Sequence, residues 1–324
     1  MNMRIYPFIL MIICLMACTN PSSEYWKPYE ETAELRANQN HENPRMQFQI
    51  IQSKLLDKND LWATYEKALN RFGEDQYQAL KPLIIEQGIP TLQSHIKSGL
   101  LSYEKLTLFY LYRIRKLESD PNKPLHAILA LTPMVIEQAK AKDRQKNTQQ
   151  HPIFGMPILL KDNINTQDMP TTAGAAFLQS HVPDNDAYIV SQLQAKGALI
   201  LGKVNLSEWA YYFCDGCPLG YSAVGGQTLN PYGRKVFESG GSSSGSGVAV
   251  AANYAVAAVG SETSGSILSP SGHNAVVGCK PTIGLVSRTG IVPISSTFDT
   301  AGPMTKNVID NAILLDAMQG KDAS

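Results

Sequence analysis

The sequence predicts an α/β fold, in which a helical segment precedes alternating strands and helices. Apolar residues recur at helical spacing over residues 61–147, and from residue 148 onward short apolar runs alternate with glycine-rich turns. Hydrophobic residues make up 44% and charged residues 17% of the 324 residues, which is typical of a folded globular protein. A chain of this length can bury a substantial core.

Residues 1–17 combine a positive charge with an apolar run, as a secretory signal does. Arg4 precedes the apolar run of residues 5–16, which is too short to cross a bilayer, because a spanning helix needs about 20 residues. The small residue before Cys18 resembles the cleavage site of bacterial lipoproteins, so we expect an exported protein in which Cys18 carries the lipid. Thr19 favours the outer membrane over the inner membrane by the same resemblance. The alternative is ordinary signal cleavage without lipid, because Met16 is not the usual small or β-branched residue.

The following segments are expected to be a tether and N-terminal extension over residues 18–60 and a helical layer over residues 61–147. Residues 148–324 are expected to form the main α/β core, in which two pairs of apolar runs each predict a helix followed by a strand. These pairs are residues 189–193 with 198–201 and residues 248–252 with 255–259. In the helical layer the apolar positions recur in two groups, which are Trp62, Tyr65 and Leu69, and then Leu106, Phe109, Tyr110 and Leu117.

The charge balance argues against nucleic acid as a partner. The 28 Lys and Arg residues equal the 28 Asp and Glu residues in number, so no overall field draws the chain to a polyanion or an acidic membrane. We therefore expect a small, uncharged substrate, and a membrane contact only through the lipid at Cys18. The sequence does not predict the oligomeric state.

Cys214 and Cys217 have the C-x-x-C spacing of a redox motif or half of a zinc site. No second cysteine pair and no nearby histidine completes a tetrahedral ligand set, so we predict no metal. In an exported protein the same spacing is compatible with a disulfide.

Residues 239–247 are all Ser or Gly, which is typical of a flexible linker. This segment runs directly into the apolar residues 248–252, which favours a buried loop at a functional site instead. A phosphate-binding loop is excluded, because no Lys or Arg occurs between Lys235 and Lys280.

The same segment matches the G-x-S-x-G nucleophile elbow, with Ser243 as the nucleophile. His273 is the only histidine after Ser243, and Glu262 is the only acid between them, so the chain has little room for the strands that separate the members of a hydrolase triad. The remaining hypothesis for a nucleophile in this segment is a serine that is activated by a lysine.

Six segments of the chain form a pattern that is specific when they are taken together. They are residues 155–163 (GMPILLKDN), 169–174 (MPTTAG), 240–246 (GGSSSGS), 260–267 (GSETSGSI), 278–288 (GCKPTIGLVSR) and 299–304 (DTAGPM). In register, these segments resemble the amidase signature family, over a stretch from about residue 92 to the C-terminus. The resemblance implies a central mixed β-sheet covered by helices, no metal and no organic cofactor. The family's domain normally continues well beyond the last segment, so we expect the C-terminal part of the domain to be missing here.

The resemblance places a catalytic triad on Lys161, Ser242 and Ser266. Ser266 is the expected nucleophile, Ser242 the bridging hydroxyl after a cis peptide bond at Gly241, and Lys161 the base. Because a free lysine is almost fully charged at pH 7, burial against residues 158–160 must lower the pKa of Lys161.

The same resemblance places the oxyanion hole on the backbone N–H groups that lead to the nucleophile. Glu262 either orders this turn or is a solvated acid, and Ser243 either supports the loop or only hydrogen-bonds within it. Four residues depart from the family pattern, namely Ser244, Glu262, Ser264 and Leu268. The expected oxyanion donors are Thr263, Ser264, Gly265 and Ser266.

The function that this implies is an amidase that hydrolyses a carboxamide to a carboxylate and ammonia or an amine. One alternative is the amidase subunit of a glutamyl-tRNA amidotransferase, which an export signal disfavours because that reaction is cytoplasmic. A second alternative is a truncated, inactive scaffold or binding protein.

Overall fold

The computed structural model describes residues 24–145, 150–214 and 216–322. The predicted signal and Cys18 lie outside these residues. The helices are α1 (Thr32–Asn38), α2 (Lys58–Ala63), α3 (Glu66–Ile84), α4 (Ile89–Lys97), α5 (Tyr103–Glu118), α6 (Val135–Arg144), α7 (Tyr188–Ala195), α8 (Ser244–Ala251), α9 (Leu268–His273) and α10 (Val308–Met318). The strands are β1 (Ile128–Leu131), β2 (Pro157–Lys161), β3 (Leu199–Val204), β4 (Tyr221–Ser222), β5 (Gly226–Gln227), β6 (Ala257–Glu262), β7 (Val277–Gly278) and β8 (Thr300–Thr305).

Within the described residues, a six-stranded mixed sheet has the order β1-β3-β2-β6-β8-β7. Strands β3, β2 and β6 are parallel to one another at its centre, whereas β1, β8 and β7 pair antiparallel with their neighbours. Every residue of β2 is buried, as expected of a central parallel strand with both faces covered. The α/β prediction and the mixed sheet are therefore confirmed.

Both predicted helix–strand pairs are present, as α7 with β3 and α8 with β6. The helical prediction for residues 61–147 holds for most of the segment but is wrong at Ile128–Leu131, which forms β1 and pairs antiparallel with β3. A run of four apolar residues does not distinguish a strand from a buried turn of helix, and pairing with β3 decides between them here.

The Ser/Gly segment is buried and leads into α8, so it is not a solvated linker. Gly245 illustrates why small residues are needed here. A Cβ added to Gly245 would lie 2.4 Å from the carbonyl oxygen and 2.6 Å from the backbone nitrogen of Asn205. The absence of a side chain thus lets α8 pack directly against the segment after β3.

The N-terminal extension is attached to the core from its first described residues. The backbone N–H groups of Tyr25 and Trp26 both donate to the side-chain oxygen of Asn59, at 2.9 and 3.0 Å. The indole of Trp26 is buried, and the N–H of Gln227 donates to the carbonyl of Ile51 at 2.8 Å. Residues 24–60 therefore pack onto the core and are not a loose tether.

Candidate active site

Lys161 lies at the end of β2 and is fully buried. Its Nζ is 2.7 Å from Oγ of Ser242, 3.0 Å from Oγ of Ser261 and 3.1 Å from the carbonyl oxygen of Ser261. The apolar residues before Lys161 make β2 a buried central strand, and the strand carries the amine directly to the Ser/Gly segment. The first contact of the predicted triad is therefore present.

Burial lowers the pKa of Lys161 to about 7, and the negative charges of Glu262 and Asp299 oppose this shift in part. An amine with this pKa is neutral in about half of the molecules at pH 7, whereas a free lysine is almost entirely charged. A neutral amine has a lone pair that can accept a proton from the hydroxyl of Ser242. The environment thus gives Lys161 the basicity that the predicted role requires.

The peptide bond between Gly241 and Ser242 is cis, as the family resemblance predicts. Ser242 is buried, and its carbonyl accepts a hydrogen bond from the N–H of Ser207 at 3.0 Å. The Ser242 hydroxyl lies toward Lys161, which donates to it.

Ser266 is half-buried and lines a cavity of about 860 Å³ together with Ser242 and Ser261. Its carbonyl accepts a hydrogen bond from the N–H of Ser243 at 3.1 Å. The structure therefore brings all three predicted triad residues to one region, with a direct Lys161–Ser242 hydrogen bond and with Ser242 and Ser266 in the same cavity wall.

Ser243 is a structural residue in this arrangement. Its Oγ donates to the carbonyl of Ser261 at 3.0 Å and accepts from the N–H of the same residue at 3.2 Å. His273, the histidine that the elbow hypothesis requires, contacts the carbonyl of Ser269 instead. Ser243 therefore connects the start of α8 to β6, and its contacts favour a supporting role over that of the nucleophile.

Glu262 is buried and orders the turn that contains Ser266. Its carboxylate accepts from the N–H groups of Gly265, Ile267 and Leu268, at 2.8, 2.7 and 2.9 Å. The solvated alternative for Glu262 is therefore wrong, because this carboxylate fixes the backbone on both sides of Ser266.

One predicted oxyanion donor needs correction. The N–H of Gly265 is bonded to Glu262, so in this conformation it is not free to stabilise an oxyanion. Over the described ranges no backbone or side-chain acceptor engages the N–H groups of Thr263, Ser264 and Ser266, so these three remain as candidates.

Sequence reasoning missed Ser261 and Asn163 as site residues. Ser261 contacts Lys161 and Ser243, and its Oγ accepts from Nδ2 of Asn163 at 2.8 Å. Both residues lie beside predicted ones in the chain, since Asn163 follows Lys161 by two positions and Ser261 precedes Glu262. Position within the matched segments was the available signal, but neither residue type indicated the contact.

A second buried lysine, Lys203, was also missed by sequence reasoning. Its Nζ donates to the carbonyl of Ile164 at 2.6 Å and to Oγ1 of Thr171 at 2.8 Å, and it lies 3.6 Å from the carboxylate of Asp162. These contacts fix the chain that follows Lys161. We assign Lys203 to holding this loop in place.

Cys214 and Cys217 form a disulfide, which is one of the arrangements that their C-x-x-C spacing allows. In the described part of the chain, no group of three or more His, Cys, Asp or Glu residues is arranged to hold a metal ion. A search of the same residues for a helix with the length and apolarity to cross a membrane finds none.

The comparisons with known proteins identify the class. Residues 105–324 match the Amidase family, and the chain belongs to this family. It is 46% identical over 227 residues to a probable amidase from Arabidopsis thaliana, covering 68% of this chain and 43% of that protein. It is also 40% identical over 237 residues to a glutamyl-tRNA(Gln) amidotransferase subunit from Exiguobacterium sibiricum, covering 73% of this chain and 47% of that protein.

Among solved structures, the native peptide amidase of Stenotrophomonas maltophilia is similar to this chain, with a TM-score of 0.69 and 46% sequence identity. The match covers 74% of this chain and 49% of that structure. The chain thus spans less than half the length of the curated relatives given above.

Proposed function

We propose that this chain is an amidase that hydrolyses a small carboxamide to a carboxylate and ammonia or an amine. The observation that carries the proposal is the 2.7 Å contact between the buried amine of Lys161 and Oγ of Ser242, beside a cavity that also contains Ser266. Membership of the Amidase family and similarity to a peptide amidase support the same reaction class.

The proposed reaction begins with neutral Lys161 accepting a proton from Ser242, which in turn accepts the proton of Ser266. The Ser266 oxygen attacks the amide carbonyl and forms a tetrahedral oxyanion, which the N–H groups of the turn stabilise. Ser242 then gives a proton to the leaving nitrogen as the C–N bond breaks. Water attacks the acyl ester of Ser266, releases the carboxylate and restores the serine hydroxyl.

Ammonia release from a panel of aliphatic, aryl and amino-acid carboxamides tests the reaction class. Hydroxylamine added to the same assay should divert an acyl-enzyme to a hydroxamate, whereas direct attack of water on the amide would form no acyl-enzyme to divert. If the purified chain turns over no amide in the panel, the inactive scaffold is favoured over the amidase.

The amidotransferase subunit remains a second candidate, because the similarity to such a subunit is comparable to the similarity to simple amidases. Glutamine in the panel separates the two functions. Ammonia release from glutamine that requires the remaining amidotransferase subunits would favour this second candidate, whereas turnover of simple amides by the isolated chain favours the first.

The pH dependence follows from the pKa of Lys161, which burial lowers to about 7. The neutral amine is the active form, so kcat/KM should be level above pH 8 and fall toward tenfold per pH unit below pH 6. The measurement is kcat/KM for one amide between pH 5 and 9. A rise centred near pH 10 would mean that Lys161 titrates as an ordinary solvated lysine and would contradict this assignment.

We also propose that the protein is exported and carries a lipid on Cys18. Cells that express the full chain should incorporate labelled palmitate into it, and Cys18→Ala should abolish the labelling while Cys14→Ala, in the same segment, leaves it unchanged. No label on the wild type would leave only ordinary signal cleavage, and equal labelling of wild type and Cys18→Ala would place the lipid on a residue other than Cys18.

A further inference from the structure

Four aromatic side chains form an exposed cluster on the surface, which we call the aromatic cluster. Phe177, Tyr212 and Phe213 are 76%, 65% and 74% exposed, and Trp209 is half-exposed. The rings of Phe177 and Trp209 stack with centroids 5.9 Å apart, and Phe213 lies edge-on to Trp209 at 6.0 Å and to Tyr212 at 5.1 Å. Exposed apolar surface of this kind marks a binding site more often than isolated exposed residues do.

The backbone that carries Trp209 reaches the cavity that contains Ser242 and Ser266. Ala210 forms part of the cavity wall, and it lies between Trp209 and Tyr211 in the chain. The cavity wall also has an apolar part, which is contributed by Val286, Ile291, Val292, Pro293 and Ile294. An apolar group attached to an amide at Ser266 therefore has apolar surface within the cavity, and Ala210 places Trp209 next to that cavity along the chain.

The backbone that carries the cluster is held in an uncommon conformation. Trp209, Ala210 and Tyr211 have φ values of 51°, 54° and 73°, a region that side-chain-bearing residues rarely adopt. Such conformations persist only where the surroundings enforce them, and they concentrate at functional sites. Three consecutive residues of this kind indicate a backbone that is shaped to place particular side chains.

Hydrogen bonds connect this backbone to the base of the predicted triad. The N–H of Trp209 donates to the carbonyl of Ala173 at 2.8 Å, and the N–H of Ala173 donates to the carbonyl of Asp162, the residue after Lys161, at 2.9 Å. On the other side, the Tyr211 hydroxyl donates to the carbonyl of Cys217 at 2.8 Å, within the loop that the disulfide closes. The backbone of Trp209 is thus tied through Ala173 to the residue that follows Lys161.

We propose that the aromatic cluster binds an aromatic or large apolar substituent of the amide substrate, so that the enzyme prefers amides with such a group. This inference rests on the proposed amidase function and deepens it by naming the substrate class. Trp209 and Phe177 are then specificity-determining residues, because stacked rings offer a flat surface against which a further ring packs.

The kinetic test compares N-acetyl-phenylalaninamide with N-acetyl-glycinamide, which have the same reacting carboxamide and differ by a benzyl group. We expect the wild type to favour the phenylalanine amide by at least about tenfold in kcat/KM, and Phe177→Ala with Trp209→Ala to remove most of this preference, mainly through KM. Tyr232→Ala is the matched control, because Tyr232 is an exposed aromatic residue outside both the cluster and the cavity wall. An unchanged ratio in the double variant would overturn the inference and leave the amidase function intact.

A binding test separates the inference from the proposed function. Trp26 and Trp62 are only 8% and 1% exposed, so a ligand-induced change in tryptophan emission reports mainly on Trp209. In the Ser266→Ala chain, the phenylalanine amide should change the emission saturably, and the glycine amide should not. If the emission changes in this way but the wild type turns over no amide, the result would support binding at the aromatic cluster and contradict the amidase function.

Two other outcomes would overturn the inference. In the first, tryptophan emission responds to neither amide but responds to vesicles of phosphatidylglycerol and phosphatidylethanolamine, and the double variant no longer co-sediments with the vesicles. This result would assign the cluster to a membrane surface. In the second, the chain self-associates in analytical ultracentrifugation, the double variant does not, and the emission does not respond to the amides. This result would assign the cluster to contact with a second copy of the chain.

Discussion

Replacing Lys161 with methionine is expected to lower kcat/KM for every amide substrate by about 1000-fold or more, because it removes the only base that contacts Ser242 among the described residues. Methionine fills a similar volume, and the carbonyl of Ser261 keeps the Ser243 hydroxyl as a donor, so the fold should persist. Steady-state ammonia release, together with thermal unfolding, measures the two effects separately.

Lys203 provides the matched control for this substitution, because it is also a fully buried lysine but contacts Asp162 and the loop carbonyl of Ile164. Lys203→Met leaves the buried Asp162 carboxylate without the positive charge that faces it, which is expected to destabilise the fold by about 3–5 kcal/mol. The two variants should thus differ in kind, with Lys161→Met losing activity and Lys203→Met losing stability. Activity of Lys161→Met within tenfold of wild type would contradict the proposed relay.

Replacing Ser266 with alanine should lower kcat by about 10,000-fold or more and abolish the acyl-enzyme, because no other hydroxyl in the proposal forms the ester. Intact-protein mass spectrometry during turnover of a slow ester or amide should detect the acyl adduct in the wild type and not in Ser266→Ala. The fold should be little affected, since the Ser266 side chain is half-exposed in the cavity wall.

Ser243→Ala is the informative counterpart, since Ser243 is the nucleophile in the competing elbow hypothesis. Its hydroxyl bonds only to the backbone of Ser261 within the described residues, so we expect a loss of about 1–3 kcal/mol in stability and a less than tenfold change in kcat. If instead Ser243→Ala eliminated the adduct and Ser266→Ala retained it, the nucleophile would have to be reassigned.

The sequence was most informative where local pattern and chemistry coincide. The apolar run of residues 158–160 predicts that Lys161 is buried, and it is, because a central parallel strand is buried along its whole length. The Ser/Gly segment before an apolar run likewise predicts a buried loop that leads into a core helix. In these cases the neighbours along the chain determine the environment.

Other features depend on residues that are distant in the sequence. The strand Ile128–Leu131 is determined by pairing with β3, and a four-residue apolar run contains no information about that partner. The contact of Ser261 with Lys161 spans 100 residues, and the loss of Gly265 as an oxyanion donor depends on where the Glu262 carboxylate lies. Such contacts are set by tertiary geometry at the scale of an ångström, which residue type and spacing do not specify.

The attachment of Tyr25 and Trp26 to Asn59 has a consequence for how the proposed enzyme would meet its substrate. Tyr25 follows Cys18 by only seven positions, and a chain of that length extends to about 25 Å at most. With a lipid on Cys18, the catalytic body would then stay close to the bilayer surface and turn over amides that arrive by lateral diffusion or accumulate at that interface, in preference to those dilute in bulk solvent.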